Sequence, residues 1–142
     1  MSLVSLLNMV NLTTPLGLAI GRVSGCQISR RAGCWQAIGY QWRVPVTAGF
    51  TVGSVVISRR ALSEAVWEHE MTHVRQYALL GPAFWPAYAA AAGWSYLRTG
   101  DWWSRNVFER RAGLRAGGYR ERPVRVAWRR SGAGAGAGAV AV

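Results

Sequence analysis

The sequence contains no lysine, and only two histidines, two cysteines and six acidic residues among its 142 positions. The 17 basic residues are all arginine, which gives a formal net charge of +11. Such a charge suits nucleic acid or an anionic membrane surface. The absence of lysine, beside abundant Ala, Gly, Val and Trp, indicates a base-composition bias of the gene instead. Because no zinc-finger, RNP or helix-turn-helix pattern accompanies the charge, we expect no specific nucleic-acid partner.

The scarcity of cysteine excludes a disulfide framework and a cysteine-rich zinc site. Seven residues separate Cys26 from Cys34, a spacing that matches neither a redox CxxC motif nor a zinc knuckle. The first 20 residues are apolar but do not begin with a basic segment, and Pro15 and several polar residues interrupt them. No cleavable signal peptide is therefore evident. We expect a cytoplasmic protein, with peripheral membrane association through an amphipathic N-terminus as an open alternative.

A second uncharged stretch covers residues 81–97. Its 17 residues are at the short limit for a membrane span, and they contain two prolines. We therefore predict a buried helix, or a helix that lies on a membrane surface, in preference to a span.

The pattern of the chain predicts an α+β fold, with one domain over residues 1–130. Strands are expected at about 20–58. The aromatic and β-branched runs at 34–44 and 50–58 predict a small antiparallel hairpin or sheet, with the turn at 45–49.

Three helices are predicted at about 63–117, after the strands. The first begins at the N-cap Ser63 and ends at Leu80, because Gly81 and Pro82 form a stop signal. The second covers about 82–97, and the third begins near Asn106 and ends by Gly117. The last segment, SGAGAGAGAVAV at 131–142, has no large side chains and predicts a disordered tail.

Both histidines lie in the segment EHEMTHVRQY, residues 68–77, within the first predicted helix. On a helical wheel His69, His73 and Gln76 fall on the same inward arc, and residues four apart present their rings to one point. Such a pair suits a tetrahedral Zn²⁺. Glu70 is poorly directed for a ligand but well directed to take a proton from water that zinc acidifies, which would then attack a peptide carbonyl. The HExxH pattern thus predicts His69 and His73 as ligands and Glu70 as the catalytic base; a hydrogen-bonded pair of core histidines is the alternative.

A third ligand should be a carboxylate, because no other histidine exists. Glu64 and Glu68 face away from the predicted site, and Glu121 lies in an arginine-rich segment. Asp101 and Glu109 remain, and we choose Glu109 because two helices joined by a long connection can meet at a metal. Its alternative role is to cap its own helix with Asn106, three residues earlier. Two histidines and a carboxylate suit Zn²⁺ best, although iron and other divalent ions accept the same set.

HEMTHVRQY followed by NVFERRA resembles the zincin-like metallopeptidases of the gluzincin type, and in particular small bacterial proteins with HExxHxxQ and a later N-x-F-E motif. The resemblance covers about residues 50–113. It implies a minimal zincin-like domain in which His69, His73 and Glu109 bind one Zn²⁺ and Glu70 is the base. It also implies that a peptide or protein substrate lies along an edge strand within residues 50–58.

Two further residues of the motif helix are candidates for contacts behind the ligands or with substrate, namely Gln76 and Tyr77. A hydrogen bond from Gln76 to the strands is the alternative for that side chain. The function predicted is a zinc-dependent metallopeptidase. A non-catalytic, metal-stabilised binding module with a vestigial site, and a membrane-associated protein, stay open as alternatives.

Overall fold

The computed structural model describes residues 2–45 and 47–125, and within them the chain is a mixed α+β fold, as predicted. Four strands form one sheet, and the helices lie before and after it in the sequence. The described helices and strands are α1 (Leu3–Val10), α2 (Thr13–Val23), β1 (Gln27–Arg31), β2 (Cys34–Ile38), β3 (Gly49–Val52), β4 (Val55–Ser58), α3 (Glu64–Leu80), α4 (Phe84–Thr99) and α5 (Val107–Ala112). The predicted tail at 131–142 lies outside the described residues.

Two helices that were not predicted precede the sheet, and the second ends at Val23, inside the range 20–58 where strands were expected. Two of the polar residues that interrupt the apolar first 20 residues, Asn8 and Thr14, form buried hydrogen bonds with distant parts of the chain. Asn8 donates from Nδ2 to Ser54 Oγ and to the Val74 carbonyl oxygen, each at 3.0 Å. Thr14 Oγ1 accepts a hydrogen bond from the Ser54 amide. These side chains tie α1 and α2 to the β3–β4 turn and to α3, so tertiary contacts support helices that the local pattern does not predict.

The sheet has the order β1-β2-β4-β3, and the predicted hairpin between 34–44 and 50–58 is wrong. β2 instead pairs in parallel with β4, whereas β1–β2 and β3–β4 are the antiparallel pairs. The run 50–58 is split into two strands at Gly53, which adopts a left-handed φ of 62°. A Cβ atom at Gly53 would lie 2.4 Å from the Thr14 amide nitrogen, so the close approach of α2 requires glycine at this turn.

The α3 helix carries the HExxH segment and has the predicted ends. Ser63 Oγ accepts a hydrogen bond from the Val66 amide, and Gly81 follows the last helical residue with a positive φ of 55°. A 3₁₀ turn then leads into α4, close to the predicted range. The third predicted helix is shorter than its outer limit of Gly117, because Gly113, with a φ of 91°, ends α5 after Ala112.

The sheet lies between two layers of helix. Val52, Val55 and Ile57 face α2 in one apolar cluster, and Val56 packs with Trp67 and Val74 of α3 in the other. Because α3 contacts α1, β3 and α5, it buries more than one face. His69, His73 and Gln76, the residues of the predicted inward arc, are buried, and so is Tyr77.

Candidate metal centre

His69, His73 and Glu109 come together at the contact between α3 and α5. The two Nε2 atoms are 3.1 Å apart. Glu109 places Oε2 3.2 Å from His69 Nε2 and Oε1 3.6 Å from His73 Nε2. The exposed fractions of the three residues are 3%, 7% and 2%. One ligand atom from each lies within 4.8 Å of the others, so the group could hold a metal ion.

Hydrogen bonds behind the two imidazoles fix which nitrogen faces the centre. His69 Nδ1 lies 3.1 Å from the Gly113 carbonyl oxygen, and His73 Nδ1 lies 2.7 Å from Gln76 Oε1. Gln76 in turn donates from Nε2 to the Phe108 carbonyl oxygen, which sets the direction of its amide. Both Nδ1 atoms therefore serve as donors, and a neutral imidazole then carries its lone pair on Nε2. Two lone pairs that converge at 3.1 Å need a cation between them, either a proton or a metal ion.

The Glu109 carboxylate supplies the negative charge of the group. Burial alone raises the pKa of Glu109, but the two neighbouring histidines and the Tyr88 hydroxyl outweigh it and lower the pKa to about 2. Tyr88 donates its hydroxyl hydrogen to Oε1, whereas no donor reaches the buried Oε2 in hydrogen-bonding geometry. An ionised oxygen with a free lone pair beside two imidazole nitrogens fits a divalent cation.

Glu109 does not cap its own helix, although its spacing from Asn106 allowed that role. Asn106 Oδ1 accepts a hydrogen bond from the Phe108 backbone amide and caps α5. The backbone amide of Asn106 donates to the Trp103 carbonyl oxygen and not to Glu109. Asp101, the other candidate ligand, accepts hydrogen bonds through Oδ2 from Ser104 and from the Trp103 amide. Within the described part of the chain, only Glu109 joins the two histidines in such a group.

Glu70, the predicted base, is 96% buried on the side of α3 that faces β3. Thr51 of β3 donates from Oγ1 to Glu70 Oε2 at 2.7 Å. Burial raises the pKa of Glu70, and the hydrogen bond from Thr51 and the nearby His73 and His69 act against this rise. The position next to a ligand residue and the raised pKa are what a general base needs, and the catalytic role of Glu70 stays a prediction.

Gln76 and Tyr77 have different surroundings in the structure. Gln76 orients the His73 ring through the hydrogen bond between Gln76 Oε1 and His73 Nδ1. Tyr77 is 1% exposed and packs its ring 4.3 Å from that of Phe84, within an aromatic cluster that also approaches His73. Tyr77 is thus a packing residue behind the two histidines.

Sequence reasoning missed the residues that enclose the centre from other parts of the chain. Tyr119 places its ring 6.3 Å from that of His69 and stacks on Trp103 at 4.9 Å. Burial, together with the charges of Glu109 and Glu70, raises the pKa of Tyr119, so its hydroxyl stays protonated at neutral pH. Tyr119 and Thr51 stand in no motif spacing with the histidines, and no signal in the sequence points to them.

Gly117 closes the centre on the side of His69. A Cβ atom there would lie 2.5 Å from His69 Cε1 and 2.8 Å from its Nε2. The Gly117 amide donates to the same Gly113 carbonyl oxygen that His69 Nδ1 approaches. The turn at 113–119 therefore both orients this imidazole and covers it, and only a glycine fits at its closest point.

The substitution Gly117→Ala is expected to weaken metal binding and to destabilise the fold by about 1–3 kcal/mol, because the added methyl group must push the His69 ring or the turn away. Gly93→Ala is the matched control, since a Cβ at Gly93 meets no atom within 4 Å and alanine favours the α4 helix. Thermal unfolding and zinc titration of both variants measure the difference. Equal behaviour of the two variants would contradict the close packing at His69.

The chain matches no family model, no curated protein and no solved structure. The geometry of the centre is therefore the ground on which its function is proposed.

Proposed function

We propose that this protein is a zinc-dependent metallopeptidase, in which His69, His73 and Glu109 hold one Zn²⁺ and Glu70 is the general base. The observation that carries the proposal is the convergence of the two Nε2 lone pairs on the Glu109 carboxylate, with the buried Glu70 one residue from His69. Two imidazoles and a carboxylate are a frequent ligand set of catalytic zinc. The zincin-like resemblance of HEMTHVRQY and NVFERRA supports the same assignment.

The chemistry divides between the ion and the chain. Zinc, when bound, acidifies water and polarises a carbonyl group. Glu70 would take the proton from the attacking water and pass it to the leaving amine, a role that needs a carboxylate whose pKa is nearer to neutrality than usual. Burial of Glu70 supplies this shift. Tyr119, protonated and next to His69, is available to donate a hydrogen bond to the carbonyl oxygen of a substrate.

A peptide substrate is favoured by the position of β3. The strand order leaves β3 at the edge of the sheet, and β4, the strand directly before α3, lies inside the sheet. Thr51 of β3 contacts Glu70, so an extended peptide that pairs with this edge would pass beside the proposed base. The edge strand implied by the resemblance thus corresponds to the first half of the run 50–58.

The metal content of the purified protein is the first measurement that distinguishes this proposal from the alternative, a hydrogen-bonded pair of core histidines without metal. Mass spectrometry of the purified protein is expected to find about one zinc per chain. A wild-type protein that stays metal-free after zinc is supplied would end the enzyme proposal.

A second candidate function is a non-catalytic module that the metal stabilises. The burial of all three ligands and the approach of Gly117 to His69 favour it, because a catalytic zinc needs an open position for water. On this alternative His69→Ala unfolds the domain and Glu70→Gln changes nothing. Melting curves and peptidase assays of the two variants separate the candidates.

Thr51→Val is expected to move the acid limb of the pH profile of kcat/KM to higher pH. The hydrogen bond from Thr51 lowers the pKa of Glu70, so its loss raises that pKa and protonates the base over a wider range. A hydrogen bond to a charged group contributes about 1.5 kcal/mol, which corresponds to about tenfold in activity on the acid limb. Thr51→Ser keeps the hydroxyl and should restore the wild-type profile, and a profile unchanged in Thr51→Val would separate Thr51 from the base.

A further inference from the structure

Two neighbouring corners of the fold expose large apolar side chains. One corner joins α1 to α2, and the other joins α3 to α4. Asn11 connects them, because its Nδ2 atom donates to the Tyr77 carbonyl oxygen at 3.2 Å and its side chain lies against Gly81. The exposed apolar residues of both corners form a surface that we call the apolar corner: Val10, Leu12, Leu16, Leu79, Leu80 and Trp85.

Leu12 shows that an apolar side chain on this surface is kept against the preference of the backbone. Its φ is 65°, in the left-handed region that glycine and asparagine adopt far more readily than leucine does. Its side chain is 68% exposed, so packing within the described chain does not explain a leucine here. A contact of Leu12 with something outside the chain does explain it. Leu79, 83% exposed on the other corner, supports the same conclusion.

The distribution of charge indicates what kind of partner covers the apolar corner. No charged side chain occurs before Arg22, and none occurs between Arg75 and Arg98. The charged residues at the ends of these two uncharged segments are all arginines, in a chain of net charge +11. An apolar surface in uncharged segments of a strongly cationic chain is complementary to a bilayer with anionic headgroups. Trp85, half-exposed at the start of α4, is a residue type enriched where water meets lipid.

The N-terminal helices fit shallow insertion and not a crossing. Of the helices in the described ranges, none is by itself long and apolar enough to span a membrane. α1 and α2 together reach the required length and composition, but they are bent by 79° at their junction. The junction is Asn11 and Leu12, so the bend presents Leu12 at its outer point.

We propose that the apolar corner docks this protein on an anionic lipid bilayer, with the bend between α1 and α2 inserted at the headgroup level. Leu12, Leu79 and Trp85 enter the acyl boundary, and the net charge of +11 attracts the protein to anionic headgroups. The proposal does not depend on the proposed peptidase activity. It applies equally to a catalytic and to a structural metal centre.

Co-sedimentation of the full chain with lipid vesicles tests the docking surface. The probe is phosphatidylcholine vesicles with about one-third phosphatidylglycerol, compared with pure phosphatidylcholine at low and high salt. Wild-type protein is expected to sediment with the anionic vesicles, and less at high salt. Leu79→Glu and Leu12→Asn are each expected to lower the partition coefficient about tenfold, because each removes a leucine side chain from the buried contact.

Leu12→Asn distinguishes an effect on docking from an effect on folding, because the variant is expected to raise thermal stability and to lower vesicle binding. Asparagine tolerates the left-handed φ, so this variant should melt at a higher temperature than wild type while it binds vesicles more weakly. Val44→Glu is the matched control for Leu79→Glu: Val44 is 74% exposed, and its loop is tied through Gln41 to Ser24, at the opposite end of α2 from Leu12. The control is expected to bind vesicles like wild type.

Three results would overturn the assignment of the apolar corner as a bilayer-docking surface, and a fourth would overturn its preference for anionic lipid. The first is wild-type protein that stays in the supernatant with anionic vesicles. The second is binding that Val44→Glu weakens as much as Leu79→Glu does. The third is a concentration-dependent dimer in lipid-free sedimentation that Leu79→Glu abolishes while vesicle binding is absent, which would assign the apolar corner to a second copy of the chain. Equal binding to pure phosphatidylcholine would remove the anionic headgroup from the recognition.

Discussion

The Glu70→Gln variant is expected to lose peptide hydrolysis by at least about a thousandfold and to retain its metal, because a general base contributes of this order to the rate. Glutamine has nearly the shape of glutamate and still accepts the hydrogen bond from Thr51 through its amide oxygen. It cannot accept a proton from water at neutral pH. The fold and the three ligands should therefore be unaffected, and only the proton transfer should be lost.

Glu68→Gln is the control for this variant. Glu68 precedes the motif on the same helix, but its side chain is exposed. The same chemical change there should leave hydrolysis and metal content at wild-type levels. The measurement is hydrolysis of a peptide library by zinc-loaded protein, with zinc counted by mass spectrometry on the same samples. Hydrolysis retained in Glu70→Gln would refute the assigned mechanism, and activity lost equally in Glu68→Gln would point to a contaminating peptidase.

Glu109→Gln is expected to lower zinc affinity by at least about a hundredfold, since even residues that only orient metal ligands contribute up to this much. The neutral amide can still accept the hydrogen bond from Tyr88 and can donate from its NH₂ group to the His69 Nε2 lone pair. The variant therefore keeps hydrogen-bond partners for the Tyr88 hydroxyl and for His69 Nε2. Its fold should survive, while its dependence on metal disappears.

Thermal unfolding with and without a chelator measures this effect. Wild-type protein should melt at a lower temperature once its metal is removed, because an ion that binds only the folded state stabilises it by about 2.7 kcal/mol at a concentration one hundred times its Kd. Glu109→Gln should melt at the same temperature in both conditions. Glu121→Gln provides the control, since Glu121 forms exposed ion pairs with Arg105 and Arg110 away from the histidines. A chelator effect that persists in Glu109→Gln would exclude Glu109 from the metal site.

The pair of variants distinguishes the two candidate functions of the centre. Loss of zinc in Glu109→Gln establishes a metal site of either kind. Loss of hydrolysis in Glu70→Gln, with zinc still bound, establishes catalysis. A protein that binds zinc through Glu109 and hydrolyses no peptide belongs to the structural alternative, which the cover of Gly117 over His69 favours.

The fold divides into features that local sequence predicted and features that it did not. The ends of α3 were predicted because Ser63 and Gly81 act on the backbone of their immediate neighbours. The N-terminal helices were not predicted, because the buried side chains of Asn8 and Thr14 find their partners forty or more residues away. The sheet pairing failed for a related reason: Gly53 is a turn because α2 packs against it, and that contact has no local signature.

The sequence by itself determined the two histidines and the adjacent glutamate as a set, because spacings of one and four residues on a capped helix fix their relative directions wherever the helix lies. It narrowed the candidates for a third ligand to Asp101 and Glu109 and favoured Glu109, because a later helix carries it. The tertiary structure packs α5 against α3, where Glu109 reaches both imidazoles and Asp101 stays within its own turn. It also supplied Thr51, Tyr88 and Tyr119, since contacts between distant segments depend on how the helices and the sheet pack, and helical periodicity carries no record of that packing.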